Sequence, residues 1–441
     1  MRQRLTIACL TFAVGILLAF PSTLHAQTPW ICQSANVQPV SPVQKDISII
    51  GTQFENNKGS GNAEWHARGF VIRAFISTSE WSQANDPSSY NAQFTYGPAE
   101  LAVIKSWGAS MLRVMVSEKV LSNDQTWYTA TERTNYMSCL KNVIQLARNS
   151  GFVVDINMQA ETKAGDSTGS NARKGLATQQ TKDAWEAINP WFKTDKGVIY
   201  ELYNEPGPGN SSANWNKYLH NGDSANGILP LSNIISDLRS LGSKNVFLVD
   251  GLSLAKSLDG VLASDVVNSS GYPLDDPIEN GTTITTPQIG YAVHPYPDGR
   301  VLQDTDFDTE FGNAHAQVPV VITEWAGWGT ATGTSGLGLD GQPSPQLARL
   351  VNYVNTNQIG LSASTFDIPG TMVLSTVNQG STDPNAWKPT YMNCYAAGQS
   401  TTPNPTPNVG TLLRNFFLDD YDATKTYVMS PDAYATGITC P

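Results

Sequence analysis

Eight short runs of apolar, largely β-branched residues recur along the chain with a near-regular beat. They are Gly69–Ile76, Met111–Ser117, Phe152–Gln159, Val198–Asn204, Val246–Asp250, Gln288–His294, Pro319–Thr323 and Leu361–Phe366, and their starts fall 31–48 residues apart. Runs of this kind read as strands buried on both faces of a parallel sheet. Between them, apolar residues return every three or four positions over Pro98–Trp107, Thr131–Asn149, Leu176–Phe192, Leu231–Leu241, Pro345–Asn355 and Val409–Leu418. That is the helical period, and Gly108 and Gly151 supply stops for the first two. Eight alternating units predict an α/β fold, a closed (β/α)8 TIM barrel with long βα loops over residues 66–441. An open doubly wound sheet is the rival, but no Gly-rich phosphate loop follows the first run. The Pro-containing stretch Thr401–Asn408 reads as a loop before the last helix, and residues 27–65 as an N-terminal extension.

Residues 1–26 stand apart from this pattern. Arg2 and Arg4 precede an apolar stretch from Leu5 to Phe20, Pro21 breaks it, and Ala26 offers a small residue before Gln27. This is the plan of a secretory signal peptide, so a secreted protein (extracellular or periplasmic) is expected. Without the signal, 25 basic residues face 38 acidic ones. An acidic surface repels phosphate backbones and anionic lipid, which argues against nucleic acid and membrane as partners. No other apolar run is long enough to span a bilayer. Cys9 leaves with the signal, and Cys32, Cys139, Cys394 and Cys440 remain. An even count in an exported chain predicts two disulfides. Cys32 with Cys139 and Cys394 with Cys440 is one of three possible pairings.

Two carboxylates fall where a barrel carries its chemistry. The fourth run reads VIYELYNEP and stops at Asn204-Glu205, because Pro206-Gly207-Pro208-Gly209 prevents continuation. The seventh, PVVITEWAGWG, ends at Glu324 with Trp325 and Trp328 beside it. Both Glu are then expected at the C-terminal mouth. Glycosidic bond cleavage needs such a pair: one carboxyl protonates the leaving oxygen while the other, ionised, attacks or stabilises the anomeric carbon. Glu201 has the strand parity of a residue pointing into the barrel, where a buried carboxylate needs a partner, and Arg113 is the candidate. The acidic run Asp304–Glu310 lacks the glycine and terminal Glu of a calcium loop and reads as a solvated helix start. No Gly-x-Ser-x-Gly elbow ends a strand, which argues against a Ser-His-Asp hydrolase.

Taken together, Asn204-Glu205-Pro206, Thr323-Glu324-Trp325, His294-Pro295-Tyr296 and Arg113 resemble the cellulase-type glycoside hydrolase family 5. The resemblance covers about residues 66–370. It implies that Glu205 is the acid/base and Glu324 the nucleophile. It also implies that Asn204 binds the 2-hydroxyl of the sugar in subsite −1, that Tyr296 holds Glu324, that His294 lines the subsite or orients Glu205, and that Arg113 sits beneath the nucleophile. Two positions depart from the family pattern. Asn157 and Gln159 stand where a strand-three His is usual, and Phe366 and Asp367 where a strand-eight Trp forms the subsite floor. Phe366, Trp325 and Trp328 are therefore the candidate sugar platforms, with Trp387 as a substitute. The expected function is a retaining endo-β-glycosidase on β-1,4-linked polysaccharide, foremost a β-glucan of the cellulose type, with β-mannan or another β-glycan such as xylan as the alternative. A non-catalytic carbohydrate-binding barrel is the rival of another class. Neither cofactor nor metal is expected, and the polysaccharide is the only expected partner of a monomer.

Overall fold

The computed structural model describes residues 45–56, 63–75, 98–124, 129–160, 175–277, 287–296, 302–325, 345–366, 372–373 and 410–427. Its first strands are β1 (Ile47–Ile50), β2 (Gln53–Asn56) and β3 (Ala63–Glu64), which form a small antiparallel sheet. Eight further strands close a parallel barrel: β4 (Arg68–Phe75), β5 (Met111–Ser117), β6 (Val153–Gln159), β7 (Val198–Glu201), β8 (Phe247–Asp250), β9 (Ile289–Val293), β10 (Val320–Ile322) and β11 (Gly360–Ala363). They pair in sequence order, and β11 closes on β4. All eight expected strands are present. Two end three residues early, β7 at Glu201 instead of Asn204 and β11 at Ala363 instead of Phe366.

Among the described residues, six helices of nine residues or more pack outside the barrel: α1 (Pro98–Ser106), α2 (Ala130–Asn149), α3 (Gln179–Phe192), α4 (Leu231–Ser240), α5 (Pro345–Asn357) and α6 (Gly410–Asp419). The start of α2 shows why the boundary falls where it does. Thr129 accepts from the Glu132 amide at 3.2 Å while its own amide donates to the Glu132 carboxylate at 2.8 Å, a reciprocal capping box. After α1 the chain must turn against α6, and Gly108 does this at φ +84°. A Cβ there would lie 2.5 Å from the Phe417 carbonyl oxygen. The β8–β9 connection carries no regular helix among its described residues, only a left-handed turn at Ser253–Ala255. The acidic run after β9 does begin a helix: residues Asp304–His315 form three short consecutive helical segments. Among the described residues no helix is long and apolar enough to cross a membrane.

Alternation along the strands separates two cores. Leu112, Val114 and Val116 of β5 face outward and pack with Leu140, Val143 and Ile144 of α2. The inward residues at the start of the strands, among them Met111, Val153, Ile199, Leu248, Ala292 and Val321, pack instead against Ile47, Ile49, Phe54 and Trp65. The hairpin β1–β2 with the approach to β4 thus closes the end of the barrel opposite the strand C-termini. Gln288 fastens it, accepting from the Ile49 amide at 2.8 Å and donating to the Ile49 carbonyl at 3.0 Å. Phe54 reaches so deep that a Cβ on Gly290 would lie 2.6 Å from its ring. This gives the described part of the N-terminal extension a packing role at the far end from the mouth. Phe54→Ala is expected to cost about 3 kcal/mol of stability, read as a lowered urea midpoint, with turnover of the remaining folded protein unchanged.

Candidate active site

Inside the upper half of the barrel the inward positions become polar. Arg113 of β5, Asp155 and Asn157 of β6, Glu201 of β7 and Asp250 of β8 are all fully buried. A buried guanidinium must spend its donors on fixed acceptors. Arg113 Nε and Nη2 donate to the two oxygens of Glu201 at 2.6 and 3.0 Å. Nη2 also donates to Asn204 Oδ1 at 2.7 Å, and Nη1 to Glu324 Oε2 at 2.7 Å. The parity-based pairing of Glu201 with Arg113 is therefore observed.

Glu205 and Glu324 lie just beyond the ends of β7 and β10. Their side chains keep 23% and 14% of their exposure, enough to meet a ligand from the mouth. One oxygen of each lies within 4.8 Å of one oxygen of the other. Retaining glycosidases hold their carboxyl groups about 5–5.5 Å apart, whereas inverting ones leave about 6.5–9.5 Å for a water. Tyr296 donates its hydroxyl to Glu324 Oε1 at 2.9 Å. Although burial opposes it, the positive charges of His294 and Arg113 and the Tyr296 hydrogen bond hold the Glu324 carboxyl below the usual carboxylate range. Glu324 is thus prepared as an anion.

His294, fully buried, connects the two sides. Its Nδ1 lies 3.2 Å from Glu205 Oε1 and its Nε2 3.1 Å from Thr323 Oγ1. The Thr323 hydroxyl donates to Glu201 Oε1 at 2.8 Å, so its lone pairs are left to accept from the ring. Nε2 is then a donor, and a second proton on Nδ1, facing Glu205 Oε1, makes the ring an imidazolium. Burial alone would lower its pKa, but the hydrogen bonds toward Glu201 and Glu205 and the Glu324 charge push it up to about 10.

The structure thus brings Arg113, Asn204, Glu205, His294, Tyr296 and Glu324 into one group. It does not bring Trp325 or Phe366 there. Trp325 is 1% exposed and its ring belongs to the outer core, while Phe366 packs its ring 4.8 Å from Phe70 and 5.2 Å from Trp107. Trp215 is likewise buried, its Nε1 donating to the Asp259 carbonyl. Asn157 is fully buried and its amide group meets no partner among the described residues, while Gln159 is almost fully buried. Trp81, Trp127, Trp328, Asp367 and Trp387 lie outside the described residues. His220 and His315 are partly buried, each against a backbone carbonyl away from the site. The sequence reading missed Asp250, whose Oδ2 accepts from the Glu205 amide at 2.9 Å. Its signal was available: Asp250 ends an apolar run with the inward parity of Leu248.

Two trios bring potential metal-ligand atoms within 4.8 Å of one another, Glu201–Asp250–His294 and Glu205–His294–Glu324. Both share His294, whose nitrogens already donate to acceptors, and the Arg113 guanidinium lies alongside. A cation would be repelled here, so the donor set does not suit a metal.

The charge on His294 has a consequence for stability. A group whose pKa rises on folding stabilises the native state fully below its unfolded value, and that contribution fades as pH climbs through the folded value. For His294 the window runs from 6.5 to about 10. Urea midpoints of the wild type should fall across that window, and His294→Gln should flatten the fall. Parallel curves for the two proteins would show the ring neutral in the native state.

The family model described as Cellulase (glycosyl hydrolase family 5) matches residues 75–366. No curated protein matches the chain by sequence. Solved structures share the fold. A β-glucanase from Saccharophagus degradans has 18% identity and a TM-score of 0.51, covering 86% of this chain and 94% of that one. An endocellulase from Pyrococcus horikoshii, solved with cellotetraose, has 13% identity and a TM-score of 0.52, covering 87% and 100%. The catalytic domain of a Thermobifida fusca endoglucanase, also with cellotetraose, has 16% identity and a TM-score of 0.50, covering 85% and 97%. At such identities the likeness is one of fold, and the family rests on the model match, which spans well over half of the chain. With that match the chain belongs to glycosyl hydrolase family 5, a family of retaining glycoside hydrolases on the (β/α)8 barrel.

Proposed function

We propose that the protein is a secreted endo-β-1,4-glycanase acting on a β-glucan of the cellulose type, with Glu324 as nucleophile and Glu205 as acid/base. One observation carries the reading: two carboxylates within 4.8 Å at one mouth, of which Glu324 alone is held by Arg113 and Tyr296. Glu324 attacks the anomeric carbon and forms a glycosyl ester as the bond to the leaving oxygen breaks. Glu205 gives its proton to that oxygen, then takes one from the water that opens the ester, returning both carboxyls to their starting state. Asn204, fixed by Arg113, is placed to bond the sugar 2-hydroxyl, a contact that strengthens in the transition state. Substrate choice follows the cellulase family and the β-glucanase and endocellulase that share the fold.

Glu324→Ala is expected to abolish hydrolysis without unfolding the protein, and wild-type turnover would remove it as nucleophile. Glu205→Ala should lose about 10²–10⁴-fold on poor leaving groups, keep far more activity on a dinitrophenyl glycoside, and recover with azide as a β-glycosyl azide. A polysaccharide panel scored by reducing ends, with the first anomer read by NMR, tests the substrate. Release from mannan but not from β-glucan would overturn the glucan assignment, and release from neither would favour a binding barrel.

Export is the other half of the proposal. It rests on the charge–apolar–small pattern of residues 1–26 and on the four cysteines that remain without them, an even count suited to an oxidising compartment. Mass spectrometry of the protein recovered outside the cytoplasm should give an N-terminus at Gln27. Recovery only from the cytoplasm with Met1 retained would sink it.

A further inference from the structure

The end of β8 and the chain that follows it have no part in the roles assigned so far, yet they grip the segment that carries Glu205. Glu205 itself has φ +51°, a left-handed conformation that non-glycine residues adopt only where their surroundings impose it. The chain just after β8 supplies that constraint. Asp250 Oδ2 accepts from the Glu205 amide at 2.9 Å. The Leu254 amide donates to the Pro206 carbonyl and the Ser253 amide to the Pro208 carbonyl, both at 2.8 Å. Ser253, Leu254 and Ala255 also have positive φ, and the Ala255 carbonyl accepts from the His294 amide at 2.7 Å. One short segment thus braces both Glu205 and the histidine that faces it. Of these contacts, only the one from Asp250 is made by a side chain to Glu205 itself.

We propose that Asp250 is a positioning residue for the acid/base, its carboxyl holding the Glu205 amide so that the Glu205 side chain stands over the scissile oxygen. The inference rests on Glu205 being the acid/base. The chemical form of Asp250 follows from its surroundings. It is fully buried, and Oδ1 meets no N–H or O–H donor. Burial and the neighbouring Glu201 carboxylate push its carboxyl well above the usual range, against the charges of His294 and Arg113. A neutral carboxyl offers one acceptor oxygen and one O–H donor. Here the acceptor faces the Glu205 amide and the donor is left for the Glu201 carboxylate. An asparagine reproduces that donor–acceptor pair, whereas an aliphatic residue supplies neither.

The test measures Asp250→Val and Asp250→Asn on a cello-oligosaccharide and on its dinitrophenyl glycoside, beside Glu205→Ala. Displacing the acid by about 1 Å is expected to slow the poor-leaving-group substrate about 100-fold in Asp250→Val. The activated glycoside, which needs no proton in the bond-breaking step, should be slowed far less. Asp250→Asn should restore the lost activity. A purely structural role would slow both substrates together, so an equal loss on both overturns the proposal, as does an Asn variant as impaired as the Val variant. Asp250→Ser, too short to reach the Glu205 amide, carries the same comparison if the Val variant does not fold. If Glu205→Ala itself shows no leaving-group dependence, the acid/base assignment fails. If it shows the dependence and Asp250→Val does not, only the positioning role fails.

Discussion

The Arg113 guanidinium is the fixed point of the upper barrel. It has no exposure, so every N–H must find an acceptor in the protein, and its planar fork allows few arrangements. The acceptors come from three places: Glu201 inside β7, Asn204 just beyond β7, and Glu324 beyond β10. A buried ion pair of this kind adds little net stability, because desolvating the two ions costs about as much as their attraction returns. What it fixes is geometry. Removing Arg113 would leave the Glu201 carboxylate in a low-dielectric interior without its principal partner. Asn204 and Glu324 are thus held by a group that cannot relax without a large penalty.

The interior balances its charge around that point. Two cations, Arg113 and the imidazolium of His294, face two anions, Glu201 and Glu324. Asp155 and Asp250 flank Glu201 with carboxyls pushed well above the usual range by burial and by the Glu201 charge. Keeping both neutral spares the site two further buried anions that Arg113 would have to share. Hydrogen bonds then run from Glu205 through His294 and Thr323 to Glu201, and from Glu201 through Arg113 to Glu324. The two catalytic candidates are therefore joined by a continuous polar chain, although they sit on strands three units apart.

How much of this the sequence disclosed follows from how long strand alternation persists. Within the strands, period two is enforced by the pleat, so eight runs yielded eight strands, and the inward parity of Glu201 found Arg113. Past the last ladder bond the rule lapses, and the site is built there. β7 stops at Glu201, after which Asn204 turns in to Arg113 while Tyr203 joins the outer core. β11 stops at Ala363, and Phe366, taken as a subsite floor, packs instead against Phe70 and Trp107. Trp325 was read as a sugar platform from its place beside Glu324. It is 1% exposed and packed in the main apolar cluster, so its ring offers no open face to a sugar. The plug made by β1 and β2 escaped notice because its strands span four residues each, too few for a periodic signal.

The two ends of the barrel accordingly make opposite demands. The end closed by Ile47, Ile49, Phe54 and Trp65 is dry and apolar, and burying such side chains stabilises by about 1.5–3 kcal/mol each. At the mouth, buried charges, neutralised carboxyls and a left-handed Glu205 are tolerated at a cost to stability. A fold that placed both at the same end would have to move its apolar packing whenever the site adjusted. Separating them along the strand axis lets the plug and the outer helices hold the strands rigid while Asn204, Glu205 and Glu324, beyond the strand ends, are set by polar contacts. The left-handed Glu205 is the clearest sign of this division. Its conformation is imposed by hydrogen bonds from the neighbouring strand end, on a scaffold whose own packing lies elsewhere.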